Sequence, residues 1–182
     1  MTSLNTIRVE RVTAPAVEPL SLAQVKLFLR IEHDDEDTLI ALFITAAREA
    51  AEDVLGRSLI TQSQRLYVPC PTSTLIALPR GPVQSIQTVA AEDDEGTLTT
   101  IDSDTYRLHA GRGLLQLDTV ANASTLVVTY VTGFGDDADD VPSIIRQGLL
   151  NHVAAFYDTR ETQKPMPELV RAFYQPYREV RL

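Results

Sequence analysis

The first pattern along the chain is a short run of apolar residues at helical spacing. Leu22, Val25 and Leu29, with Phe28 as a further candidate, fall on one stripe of a helix. At the start of that stripe, Ser21 and Gln24 stand three positions apart, which is the spacing of a capping box. Because a capping box satisfies free backbone N–H groups at a helix start, these positions predict a short helix over about 21–30.

A second helical pattern is longer and predicts a helix over about 36–55. Acidic residues precede it, so Asp34 or Asp35 is expected to cap its first turn. Gly56 follows the last apolar position and is a natural helix end. The predicted apolar face consists of Leu39, Ile40, Leu42, Phe43, Ala46, Ala47, Ala50 and Val54.

The period changes to two after the second helix, and short alternating runs fill residues 59–132. Turn residues separate these runs, and Asp94 with Gly96 marks one hairpin turn. The pattern predicts an antiparallel β-region. The start of the chain, 1–19, is predicted to be irregular because Pro15 and Pro19 disfavour a helix there.

Helical spacing returns after Pro142, which suits the first turn of a helix because it lacks a backbone N–H. The apolar face of this helix consists of Ile145, Leu149, Val153 and Phe156. Gly148 inside it costs about 1 kcal/mol relative to alanine, which predicts close packing at that point. A polar linker at 162–167 leads to a last short helix, which Pro176 ends.

These elements predict an α+β protein, a small bundle of about four helices with an antiparallel β-insertion between helices 2 and 3. We expect residues 1–182 to form a single adaptor domain. Its helical core takes about 20–58 and 136–173, its β-insertion about 59–132, and its C-terminal tail about 174–182.

Composition narrows the function classes. The 182 residues include 16 basic and 25 acidic side chains, for a net charge of −9. A protein that wraps duplex DNA needs a basic face, so this balance argues against that class. A single cysteine excludes an intramolecular disulfide framework. No apolar run approaches the roughly 20 residues of a membrane span, and a soluble intracellular chain is expected.

Sites of chemistry are sparse. Clustered carboxylates could suggest metal binding, but none has the alternating ligands and central glycine of a calcium loop. Solvated turns and helix starts explain them better. His33, His109 and His152 lack the spacing of a metal pair, and His152 is expected to be a partly buried structural residue. We therefore expect no catalytic residue, no cofactor and no metal.

The C-terminal end differs in composition from the rest of the chain. From Arg160 onward it contains five basic residues and three acidic ones, and it holds Phe173, Tyr174 and Tyr177. Aromatic and arginine-rich segments are favoured at protein interfaces. A tail folded back on its own core explains the same composition equally well, so both alternatives stay open.

The order of these motifs resembles that of the head–tail connector, or adaptor, proteins of tailed bacteriophages and phage-derived gene transfer agents. The first hairpin is similar at Ser21, Leu22, Lys26, Leu29, Arg30, Asp34, Asp35, Asp37, Gly56 and Arg57. The strand segment is similar at Leu78, Pro79, Pro82, Val83, Ser85 and Ile86. The junction and the following helix are similar at Tyr130, Gly133, Phe134, Gly135, Val141, Pro142, Arg146, Gln147, Tyr157 and Arg160. The ending resembles the family's Pro-Tyr-Arg at Pro176, Tyr177 and Arg178.

The resemblance implies a structural virion-neck protein, assembled in the bacterial cytoplasm. Such a protein forms a ring under the portal, roughly twelve-fold, extends the DNA channel without binding DNA specifically, and joins the capsid to the next neck protein (stopper) or the tail. Portal contact is expected at Arg171, Phe173, Tyr174, Pro176, Tyr177, Arg178, Arg181 and Leu182. A channel-facing or inter-subunit role is expected for Asp34, Asp35, Asp37, Asp136, Asp137, Asp139 and Asp140. We further expect the segment 171–182 to leave the bundle and insert into the portal.

Two alternatives to a structural adaptor stay open at this point. One is a small metal-dependent enzyme built on the acidic turns. The other is a DNA-packaging or DNA-binding factor that uses the C-terminal segment, which the overall charge disfavours.

Overall fold

The computed structural model describes residues 7–160, 162 and 166–178. The α-helices are Leu22–Leu29 (α1), Asp37–Leu55 (α2), Ser143–Thr159 (α3) and Glu168–Tyr174 (α4). The strands are Arg8–Thr13 (β1), Gln62–Pro69 (β2), Leu75–Ala77 (β3), Val83–Glu92 (β4), Leu98–Thr100 (β5), Tyr106–His109 (β6), Leu114–Leu117 (β7) and Thr125–Thr132 (β8). The predicted α+β class, with helices and an antiparallel β-region between α2 and α3, is confirmed.

The chain divides into two compact units, and each is made of separate stretches of sequence. The β-unit consists of 1–14 and 61–133, and the helical unit consists of 15–60 and 134–182. No described helix is long and apolar enough to cross a membrane.

The β-unit contains two antiparallel sheets. One has the strand order β1-β2-β8-β4-β5, and the other has the order β3-β7-β6. Alternation along the strands sends one set of side chains inward. That core consists of Leu66, Ile76, Leu78, Val83, Val89, Leu115, Leu117, Leu126, Val128 and Tyr130. The buried Tyr130 hydroxyl donates to the Pro79 carbonyl at 2.7 Å, so it is satisfied within the core.

The first strand corrects the expectation that residues 1–19 are irregular. β1 pairs with β2 in antiparallel register, with Arg8 opposite Tyr67 and Glu10 opposite Arg65. Pro15 and Pro19 restrict only the chain around them, and the residues before Pro15 are free to form an edge strand. The pairing partner lies about fifty residues further on, which local patterns cannot reveal.

The helical unit packs α2 against α3, with α1 and α4 against this central pair. Its core consists of Leu20, Val25, Ile40, Phe43, Ile44, Ala47, Ala51, Leu55, Leu59, Ile60, Val141, Ile145, Leu149, Val153, Phe156, Val170 and Tyr174. The expected capping box at Ser21 and Gln24 forms, with hydrogen bonds of 3.2 Å and 2.9 Å. Gly56 ends α2 with φ of 66°, a left-handed conformation that glycine adopts easily.

Candidate functional site

The acidic turn between α1 and α2 is held by a single lysine. Lys26 donates from Nζ to Asp34 Oδ1 at 2.5 Å and to Asp37 Oδ1 at 2.7 Å. The Asp34 hydrogen bond, followed by that of Asp37, raises the pKa of Lys26, and the same bond lowers the pKa of Asp34. Two of the carboxylates predicted to face a channel or a neighbour are therefore paired within the turn, whereas Asp35 is exposed.

The expectation that Asp34 or Asp35 caps α2 is wrong. Glu36 occupies the N-cap position, and no side chain bonds the free N–H groups there. Asp34 contributes its backbone carbonyl instead, which accepts from Asp37 N at 3.1 Å. Its carboxylate turns to Lys26 because a charged partner binds it more strongly than a neutral amide does.

Glu36 joins the start of α2 to the end of α3. Its carboxylate accepts from the Tyr157 hydroxyl and, at 2.7 Å, from Arg160 Nη2. Arg160 also stacks over the Tyr157 ring, 4.5 Å from its centroid. The hydrogen bond from Tyr157, and next that from Arg160, lower the pKa of Glu36. The sequence resemblance includes Tyr157 and Arg160, but nothing in the sequence indicates that Glu36 is their partner.

A buried arginine organises the middle of α2. Arg48 is only 3% exposed, and its guanidinium bonds Glu18 Oε2 at 2.8 Å and Glu52 Oε2 at 3.2 Å. Burial opposes its charge, but Glu18 and the neighbouring carboxylates outweigh burial and raise the pKa of Arg48. Glu52 also accepts from Leu59 N at 2.9 Å. This network is structural, and the sequence analysis did not identify it.

The second acidic turn, 136–140, has a fixed backbone shape. Asp140 Oδ2 accepts from Asp137 N at 3.0 Å, and a Cβ at Gly135 would overlap the Asp140 carboxylate. Asp139 pairs with Arg146 at 2.6 Å. Asp136 and Asp137 are exposed, and no cation of the described chain forms an ion pair with either of them. The turn therefore presents two uncompensated carboxylates to solvent.

The described part of the C-terminal segment is folded onto the helical core. Tyr174 is fully buried, and a Cβ at Gly148 would lie 2.6 Å from its Cε1 and 2.9 Å from Phe173 Cβ. The expected close packing at Gly148 is confirmed. Arg57 Nε donates to the Tyr177 carbonyl at 2.7 Å and secures the turn after α4. Of the two alternatives for this segment, residues 168–178 follow the one in which the tail packs on its own core.

Two buried polar atoms of this region have no hydrogen-bond partner in the described chain, His152 Nδ1 and the Tyr174 hydroxyl. The His152 ring lies 4.4 Å from that of Phe156, centroid to centroid. Burial lowers the pKa of His152 to about 4 and raises that of Tyr174. His152 is therefore neutral at pH 7 and more deeply buried than expected.

The outer side of the same segment is exposed. Arg171 and Arg178 line a groove beside the end of α2 together with Asp53, Val54 and Gln175. Pro176 is exposed as well. Within the described residues, neither arginine has an ion-pair partner. The predicted contact residues Arg181 and Leu182 lie outside the described residues.

A second surface of the helical unit is apolar. A groove of about 390 Å³ lies between α1 and α3. Leu27 and Phe28 line it and are 81% and 41% exposed, which is high for large apolar side chains. Leu27 lies off the core stripe predicted for α1, and an exposed leucine at that position is the signal in the sequence that indicates this surface.

No group of three or more histidine, cysteine or acidic residues among those described could hold a metal ion. The alternative of a metal-dependent enzyme on the acidic turns therefore gains no support from this part of the chain. The carboxylates are used instead for ion pairs and for turn hydrogen bonds.

Three solved structures of gene transfer agent (GTA) particles contain a chain of similar fold. The neck of an empty GTA particle computed with C6 symmetry matches with a TM-score of 0.81 and 23% identity, over 96% of this chain and 97% of that one. The virion of a native particle matches with 0.79 and 22% identity, over 96% of both chains. The neck of a native particle computed with C12 symmetry matches with 0.75 and 23% identity, over 96% and 97%. No curated protein sequence matches the chain.

The sequence also matches a family model. Residues 19–107 match the model described as phage gp6-like head-tail connector protein. This span begins before α1 and ends in β6, so it includes the first helical hairpin and most of the strands. Connectors are structural proteins, and the expectation that the chain is structural and non-enzymatic is confirmed at the level of that family. The resemblance of this chain to phage head–tail connector proteins is thereby confirmed.

Proposed function

We propose that the protein is a head–tail connector of a phage or gene-transfer-agent neck. It forms a ring under the portal, extends the DNA channel and joins the capsid to the next neck protein or the tail. The observation that carries the proposal is the combination of a connector-family match over 19–107 with a fold shared along 96% of the chain with a GTA neck protein. The C6 and C12 symmetry of the similar necks supports a ring.

The likeness extends over both compact units, which supports a single adaptor that uses them together. We propose assembly in the bacterial cytoplasm, with the finished ring in the particle neck. DNA passes through the ring without specific contacts, because a net charge of −9 disfavours phosphate binding.

We propose that the turn between α1 and α2 faces this channel. Lys26 fixes its shape, while the side chain of Asp35 is 93% exposed and leaves the turn with a negative surface. An acidic surface repels phosphate and lets the duplex slide. A reconstruction of the ring on its portal tests this part, and basic side chains along the lumen would contradict it.

The proposed portal contact is the end of the chain. Tyr174 anchors α4 in the core, and Phe173 and Tyr177 are partly buried against that core, so these aromatics could contact a portal only if the segment left its packed position. Pro176 lies in the last turn, Gln175–Tyr177, but it is exposed and needs no such release. The contact is therefore proposed for Pro176 and for the end of the chain, including Arg181 and Leu182.

A portal pull-down tests the proposed function. Because α4 packs on the helical core, the shortened chain used in this test must retain α4. A chain ending at 170 would remove Tyr174 from the core, so lost binding could reflect unfolding. A chain ending at 178 keeps α4 and removes only the last four residues. We expect the full chain to bind assembled portal and the shortened chain to bind at least tenfold more weakly, with an unchanged melting temperature.

The other outcomes are equally informative. Equal binding by both chains would keep the connector function and move the contact away from the chain end. No binding by the full chain to an assembled portal would overturn the proposed function.

A further inference from the structure

Two arginines, one on α4 and one just after the turn that follows it, have no ion pair among the described residues of this acidic chain. Three other arginines of the helical unit pair with carboxylates: Arg48 with Glu18 and Glu52, Arg146 with Asp139, and Arg160 with Glu36. Arg30 and Arg57 form no ion pair among the described residues, but neither lines a groove with a second arginine. Arg171 and Arg178 have no such partner in the described chain, and both line one groove. We call this pair the arginine face.

The surroundings of the arginine face suit a protein surface rather than a small anion. Arg171 also lines an adjoining groove with Glu168, Ala172 and Gln175, so the charged side chains lie on a broad open surface. Arg57 lies nearby, bonded to the Tyr177 carbonyl, and adds positive charge. Asp53 also lines the groove, so the site is not purely cationic, and a partner must present more than one carboxylate to be held.

The chain itself offers a complementary surface. In the acidic turn 136–140, Asp136 and Asp137 are exposed and lack a cation, and the Asp140 contact fixes the backbone that presents them. By contrast, Lys26 and Arg160 already bind carboxylates of the turn between α1 and α2. The turn at 93–96 belongs to the β-unit, and Asp93 there is used to accept from Glu95 N and Thr97 N.

We propose that the arginine face of one copy binds the acidic turn 136–140 of a second copy. This inference rests on the proposed function, because a contact between two different surfaces of the same chain is the heterologous type that closes into a ring. It assigns Arg171 and Arg178 to the neighbouring subunit, whereas the sequence analysis assigned them to the portal.

Exposed ion pairs contribute little individually, about 0–1 kcal/mol, so one such contact in solution is weak. Repetition around a ring makes many weak contacts effective together. The contact is therefore measurable by sedimentation at high protein concentration and low salt. It should weaken at roughly 1 M salt, where the Debye length is about 3 Å.

A charge exchange tests the pairing. We expect Arg171→Glu with Arg178→Glu to lower self-association at least tenfold, and Asp136→Arg with Asp137→Arg to do the same. In an equal mixture, each variant supplies the partner that the other lacks, so the two should associate again in alternating order. Matched controls make the same charge changes elsewhere: Arg107→Glu with Arg112→Glu, and Asp94→Arg with Glu95→Arg, all at exposed positions of the β-unit.

Three results would overturn the inference. They are a wild-type chain that stays monomeric at millimolar concentration in low salt, an unchanged association of either double variant, or a mixture that fails to associate. The portal pull-down with monomeric chain does not depend on these results. Portal binding without self-association would support the connector function and contradict this interface. Loss of association in the control at 94–95 instead would assign the contact to the β-unit turn.

Discussion

The hairpin of α1 and α2 and the pair of α3 and α4 belong to the same helical unit but are held together differently. In the first, ion pairs fix the chain: the buried Arg48 pairs with Glu18 and Glu52, and the largely buried Lys26 pairs with Asp37 and with the exposed Asp34. In the second, Gly148 leaves a gap that the ring of Tyr174 fills, and no ion pair is formed between the two helices among the described residues.

The difference appears in how completely polar atoms are satisfied. The Arg48 network uses directional bonds that also fix Leu59 N, so it specifies one arrangement of the chain. The packing of α4 buries the Tyr174 hydroxyl and His152 Nδ1 without partners, which costs free energy. The first hairpin is thus held by directional ion pairs, and α4 is held by the close packing of the Tyr174 ring. The two should respond differently to substitution and to pH.

The largest loss of stability is expected when the Tyr174 ring, which packs α4 against α3, is removed. Tyr174→Ala should lower the free energy of unfolding by about 4 kcal/mol, because it leaves a large cavity against Gly148. Tyr174→Phe is the matched control, and it should be neutral or slightly stabilising because the hydroxyl has no partner. Urea unfolding measures both. A Phe variant as unstable as the Ala variant would show that the hydroxyl, rather than the ring, holds α4.

A somewhat smaller loss is expected from breaking the charge network. Arg48→Met should cost about 3 kcal/mol, because it leaves the buried Glu52 without the cation that pairs with it here. Replacing Glu52 by Leu in the same chain should recover part of this loss, since an apolar pair needs no compensation. If Arg48→Met unfolds at the wild-type urea concentration, the network contributes nothing and the contrast between the two hairpins is lost.

The smallest effect is the dependence of stability on pH. It tests the packing around α4 without removing a side chain from the core. The folded pKa of His152 is about 4, below its ordinary value of 6.5, so the unfolded chain binds the proton more readily. Stability is therefore full above pH 6.5 and falls as the pH decreases towards 4, by on the order of 1–2 kcal/mol at pH 5. Thermal unfolding between pH 7 and 5 measures it.

His152→Leu is the control for this titration, because it removes the ionisable group from the core. The variant should lose most of the pH dependence over the same range. An equal slope in the wild-type chain and the variant would place the titrating group elsewhere.

Local signals predicted those parts of the fold that depend on neighbouring residues in sequence. The capping box at Ser21, the end of α2 at Gly56 and the close packing at Gly148 are all of this type. The strand β1 and the bond between Glu36 and Tyr157 depend on partners far along the chain, which one sequence does not reveal.

The candidate site shows the same limit. Aromatic and basic residues are mixed after residue 170, and composition alone could not separate the buried Tyr174 from the exposed Arg171. Helical geometry makes that separation, because Val170 and Tyr174 lie four positions apart on the face that meets α3. Composition therefore identified an unusual segment, and only the fold shows which of its side chains are buried and which are exposed.

The early strand β1 has a consequence for the order in which the protein matures on the ribosome. β1 is synthesised before its pairing partner β2, and the whole first helical hairpin is synthesised between the two strands. That hairpin cannot bury its apolar face until α3 is synthesised, and α3 follows the last strand. The β-unit is complete at residue 133, whereas the helical unit needs nearly the entire chain. A nascent chain that ends soon after residue 133 therefore has a complete β-unit, while the apolar face of its first helical hairpin is still exposed and prone to aggregation.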